Sequence, residues 1–122
     1  MSTWNFDKAI VISVTDGDTV KLEVDQGFDN SKKGSFRIFG NNARELKEPG
    51  GQEARANLLS LIPVGTQLHL ESVKNDKYSR YDAILFLGDL NIGQHLIDTG
   101  WAVAWSGAGP KPSPVWPRIS QN

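Results

Sequence analysis

Apolar positions change their period along the chain, and each change predicts an element. Residues 9–14 are mostly β-branched and apolar on both sides, as expected of a strand deep in a barrel or sheet. Thr15-Asp16-Gly17-Asp18 follows as a turn, with Asp-Gly supplying the positive φ of a tight hairpin. Residues 19–25 alternate, placing Val20, Leu22 and Val24 inward and Lys21, Glu23 and Asp25 outward. Residues 26–34 are polar, carry two glycines and the pair Lys32-Lys33, and read as a mobile loop. A third strand is predicted over residues 35–40, with Phe36 and Ile38 on one face and Arg37 and Phe39 on the other. Residues 41–51 read as a loop. The period then lengthens: Ala54, Leu58, Leu61 and Ile62 form one helical stripe over residues 52–62, stopped by Pro63 and Gly65. Strands are expected again over residues 67–73 and 82–87, joined by a charged stretch, and a short second helix over residues 92–99. Four of the six prolines follow Trp105, so that tail is neither helix nor central strand.

Three strands, a helix, two strands and a helix suit a five-stranded β-barrel with a helix between strands 3 and 4, the OB pattern. An open α+β sandwich is the structural alternative. No repeat or linker divides the chain. One domain over residues 1–122 is expected, with a core of about 8–105 and a Pro-rich tail over 106–122. A chain of 122 residues buries roughly two thirds of its extended surface, and 39% hydrophobic residues suffice for a core. The net charge of −1 excludes a polybasic arm. With no cysteine, disulfide frameworks, thiolate catalysis and cysteine-ligated metals are excluded. His69 and His95 are too few for a histidine-rich metal site. No apolar run approaches the roughly 20 residues of a membrane span, so no membrane partner is expected. The N-terminus lacks the basic and apolar regions of a signal peptide, and the compartment is not readable.

Polar residues gather at three predicted strand ends. Asp16-Gly17-Asp18-Thr19 places two carboxylates around a glycine, a hard-cation site or simply a solvated turn. Arg37 lies among Phe36, Ile38 and Phe39, so its permanent charge must meet an anion, either a phosphate or a barrel carboxylate. Asp76-Lys77-Tyr78-Ser79-Arg80 interleaves cations with a tyrosine, which fits a phosphodiester and a stacked base, or a solvated hairpin loop.

Together these stretches resemble the staphylococcal nuclease (thermonuclease) family. The matching pieces are Thr15-Asp16-Gly17-Asp18-Thr19-Val20-Lys21-Leu22, Phe36-Arg37-Ile38-Phe39-Gly40 with Glu45 eight positions after Arg37, and Asp76-Lys77-Tyr78-Ser79-Arg80. The helix after Pro49-Gly50-Gly51 and the ending Leu96-Ile97-Asp98-Thr99-Gly100-Trp101-Ala102 extend the resemblance over about residues 8–105. It implies an OB barrel and Ca²⁺-dependent hydrolysis of phosphodiester bonds in DNA or RNA by a monomer. By position it implies Asp18 as the principal calcium ligand, with Asn42, the Ala43 backbone carbonyl and, in an outer layer, Asp16 beside it. Arg37 and Arg80 would be the phosphate-binding arginines, Glu45 the carboxylate that activates water, and Lys77 and Tyr78 the nucleotide pocket. Trp101 and Trp105 fall near that pocket, and Trp101 is read as packing.

Two positions depart from the family's pattern. Asn42 stands where a second calcium carboxylate is expected, which removes one negative charge and weakens metal binding. Arg44 stands where a rigid proline is usual. The chain also ends in a Pro-rich segment instead of a long basic helix. A nuclease-like OB module that binds nucleic acid or protein without cutting is the alternative function.

Overall fold

The computed structural model describes residues 4–75, 81–105, 110–112 and 114. Strands β1 (Trp4–Asp16), β2 (Thr19–Gly27) and β3 (Asn30–Ile38) form an antiparallel meander. Next come β4 (Asn41–Ala43), α1 (Gly51–Leu61), β5 (Gln67–Asn75) and β6 (Tyr81–Leu87). The chain continues through β7 (Leu90–Asn91), α2 (Ile92–Asp98) and β8 (Ala102–Ala104). β5 pairs antiparallel with β1 and β6, and β6 closes the circle by running parallel to β3. The result is a closed five-stranded OB-like barrel, not an open sandwich.

Closure follows from how each strand spends its apolar face. Val20, Leu22 and Val24 of β2, Phe36 and Ile38 of β3, Leu68 and Leu70 of β5, and Ala83 and Leu85 of β6 are all buried. Ala54, Leu58 and Ile62 bring the α1 stripe against this core, and Leu96 brings α2. The double-sided apolar character of β1 has a local cause. Its register with β2 shifts between Val11 and Ser13, so Val11 and Val14 both reach the core although three residues apart. Asn41 ties β4 to α2 by donating from Nδ2 to the Gly93 carbonyl at 3.3 Å.

Several boundaries differ from the pattern-based expectation. Residues 26–34 are not a loop: β2 runs to Gly27, Phe28 and Asp29 make the turn, and β3 begins at Asn30. Backbone pairing of Val24 with Lys32 and Asp25 with Ser31 overrides the polar composition. β1 likewise reaches back to Trp4, held by β5. β3 stops at Ile38 rather than residue 40, where Gly40 turns the chain at φ 79. The expected loop over 41–51 contains β4, paired with β8. Among the described residues, no helix is long and apolar enough to cross a membrane.

Candidate metal and phosphate site

Gly17 was expected to supply positive φ, but it is not among the left-handed glycines. Its absent side chain matters for a different reason. A Cβ there would stand 2.8 Å from the Ala54 Cβ and 2.9 Å from the Ala43 Cβ, so only glycine lets the β1–β2 turn pack against α1 and β4. That packing buries Asp18, which is 7% exposed. Its N–H donates to Asp16 Oδ1 at 3.3 Å, setting the two carboxylates side by side. Asp18 Oδ1 accepts from Thr19 Oγ1 at 3.1 Å, and Oδ2 accepts from the Ala43 N–H at 3.0 Å. Burial, and then the bond and charge of Asp16, push the Asp18 carboxyl up to about 7, against the pull of Ala43 N–H and Arg37.

Arg37 faces away from its core neighbours Phe36 and Ile38. Its Nη2 lies 4.0 Å from Asp18 Oδ2 and donates to the Asn41 carbonyl at 2.7 Å. Its guanidinium carbon lies 4.6 Å from the centre of the Trp105 ring. The carboxylate and phosphate readings of Arg37 are therefore not exclusive: a carboxylate neighbour orients a fork that keeps further donors.

Glu45 is placed by the start of α1. Gly51 packs against the Glu45 backbone so closely that any Cβ would overlap the Glu45 carbonyl, and Gly50, at φ 85, turns the chain into the helix. Asp16, Glu45, Leu46, Lys47 and Gln52 line one hollow of about 380 Å³. Asp16 thus belongs both to the carboxylate pair and to the hollow that holds Glu45.

The structure brings Asp16, Asp18, Arg37, Asn42, Ala43 and Glu45 to one end of the barrel. Ala43 enters through its N–H to Asp18. Asn42 is buried and donates from Nδ2 to the Pro112 carbonyl at 2.8 Å. Arg80, Lys77 and Tyr78 lie outside the described residues. His69 Nδ1 lies 3.0 Å from Asp7 Oδ1 on the flank of the barrel, away from this site. Lys111 was missed by sequence reasoning: its Nζ lies 3.7 Å from Glu45 Oε1 and 5.3 Å from the Trp105 ring centre. No local pattern could have found it, because it sits in the Pro-rich tail.

The donors here are oxygens, the type a hard cation takes. Among the described residues no group of three or more His, Asp or Glu side chains is arranged to hold a metal. Asp16 and Asp18 would need the Asn42 amide oxygen, main-chain carbonyls and water to complete a calcium shell. No protein-family model matches the chain, and no curated protein matches it.

Proposed function

We propose that the protein is a Ca²⁺-dependent phosphodiester hydrolase acting on DNA or RNA as a monomer. One observation carries the reading. A carboxylate pair, buried Asp18 raised by its surroundings and half-buried Asp16, stands beside the Arg37 guanidinium and shares Asp16 with the hollow of Glu45. Two crowded carboxylates favour a cation, and an arginine beside them favours a phosphate drawn to that cation.

Asp18 and Asp16 would hold calcium with the Asn42 amide oxygen. The bound ion would supply electrostatic stabilisation of charge building on the phosphate oxygens. Arg37 would donate to a non-bridging oxygen, and Arg80 would add a second guanidinium. Glu45 would take a proton from the attacking water as the new P–O bond forms and the opposite P–O bond breaks. Lys77 and Tyr78 would hold the neighbouring nucleotide.

The test is digestion of supercoiled plasmid and of RNA by wild type and Glu45→Gln, with calcium and with EDTA. Cleavage should require calcium and fall on the order of 10²–10⁴-fold in Glu45→Gln. Undiminished cleavage in EDTA would remove the metal from the mechanism. The second reading, a module that binds without cutting, is favoured by the tail contacts to Asn42 and Glu45. It predicts oligonucleotide or protein binding with no cleavage under any metal.

A further inference from the structure

Residues 110–112 and 114 lie across the candidate site, held by side chains of one short segment, β4 and the two residues after it, and by Trp105 just past β8. Asn42 Nδ2 donates to the Pro112 carbonyl at 2.8 Å, and Arg44 Nη2 donates to the Pro114 carbonyl at 2.6 Å. Lys111 Nζ pairs with Glu45 Oε1 at 3.7 Å and lies 5.3 Å from the centre of the Trp105 ring, which also carries the Arg37 guanidinium. Pro114 is buried.

We propose that Asn42, Arg44, Glu45 and Trp105 form a groove for a proline-rich segment, occupied by Pro110, Lys111, Pro112 and Pro114 of this chain, which act as a strap competing with phosphodiester for the site. The competition rests on the function proposed above; the groove does not. Its chemistry is that of extended proline recognition: side-chain donors reach the carbonyls, an aromatic ring lies against the ammonium of the segment's lysine, and an acid meets the same lysine. The prolines fix φ before docking, so the segment loses little freedom on binding.

The two departures from the nuclease pattern, Asn42 and Arg44, are the two donors that clasp the strap. An aspartate at 42 would turn acceptor against acceptor at the Pro112 carbonyl, and a proline at 44 would have no donor for the Pro114 carbonyl. The exposed Lys111–Glu45 pair adds little binding strength. Its effect is positional: it sets a cation where Glu45 would receive the proton of the attacking water.

The test is a full-length Pro112→Gly/Pro114→Gly variant, which loosens the strap by chain entropy without changing charge. Loosening should shift the backbone amide resonances of Asn42, Arg44, Glu45 and Trp105 while leaving those of Leu22 and Leu70 in place. A synthetic peptide Gly-Pro-Lys-Pro-Ser-Pro added in excess should reverse those shifts. With calcium present, a short phosphorothioate single-stranded DNA should bind the variant about fivefold tighter or more, because a larger fraction of molecules is open. Unmoved resonances, or no reversal by the peptide, would overturn the groove. Equal or weaker DNA binding by the loosened chain would overturn the competition and make the tail an arm that grips substrate. DNA that binds neither chain would reject the nucleic-acid function, and the competition with it, while the peptide result still decides the groove.

Discussion

Asp18 Oδ2 accepts a hydrogen bond from the Ala43 N–H at 3.0 Å, joining the first barrel turn to the small β4–β8 pair. This bond and Arg37 stabilise the charged form, yet burial and Asp16 outweigh them and hold the carboxyl at about 7. An acid whose pKa is higher folded than unfolded favours the fold most below its unfolded value, and that contribution is lost as pH rises through the folded value. Between about pH 5.5 and 8.5 the metal-free protein should therefore lose about 2 kcal/mol of stability from this group. Urea midpoints should fall across that range in wild type and stay nearly level in Asp18→Asn. Calcium should recover wild-type stability at the alkaline end by mass action. A level wild-type profile would show that Asp18 is not held protonated.

Arg37 donates to the Asn41 carbonyl and, in the proposed function, to a phosphate, and two variants separate the two roles. Arg37→Ala leaves the Asn41 carbonyl without its donor and should cost about 1–3 kcal/mol of stability. Arg37→Lys keeps the charge but loses the planar fork. It should unfold near the wild-type midpoint while cleavage falls on the order of 10²-fold. Normal cleavage by Arg37→Lys would place Arg37 in the fold alone.

Gly17 is required by contact rather than by backbone angle. Gly17→Ala should destabilise by about 1–3 kcal/mol, since the new Cβ meets Ala54 and Ala43 inside contact distance. Gly34 is the control: a Cβ there would meet nothing nearer than 3.7 Å, so Gly34→Ala should be neutral or gain about 0.5 kcal/mol. Urea denaturation of the two variants side by side measures the difference.

The β2–β3 turn places Phe28 at φ 55 and Asp29 at φ 61, and Phe28 is 98% exposed. A bulky side chain in the left-handed region is strained, and the pair Asn-Gly fits such a turn better. Phe28→Asn/Asp29→Gly should raise stability by about 1 kcal/mol in thermal or urea unfolding, with no change in nucleic-acid binding.

The residue pattern along the chain specifies the alternation of β2, the single stripe of α1 and the element order that closes an OB-like barrel. These depend on near neighbours along the chain, where a period of two or 3.6 decides which face is buried. It also singled out Asp16, Asp18 and Arg37, because charged groups beside apolar strands are conspicuous, whereas Asn42 and Glu45 stood out only through the family resemblance. Tertiary structure alone decided the rest. Polar residues 30–34 became strand because β2 offered them a ladder, and Gly17 is glycine because Ala43 and Ala54 arrive from elsewhere. Lys111 reached Glu45 because Asn42 and Arg44 hold the carbonyls of a tail some 70 residues away. A carbonyl acceptor belongs to every residue alike, so no pattern of side chains could mark which ones the barrel would bind.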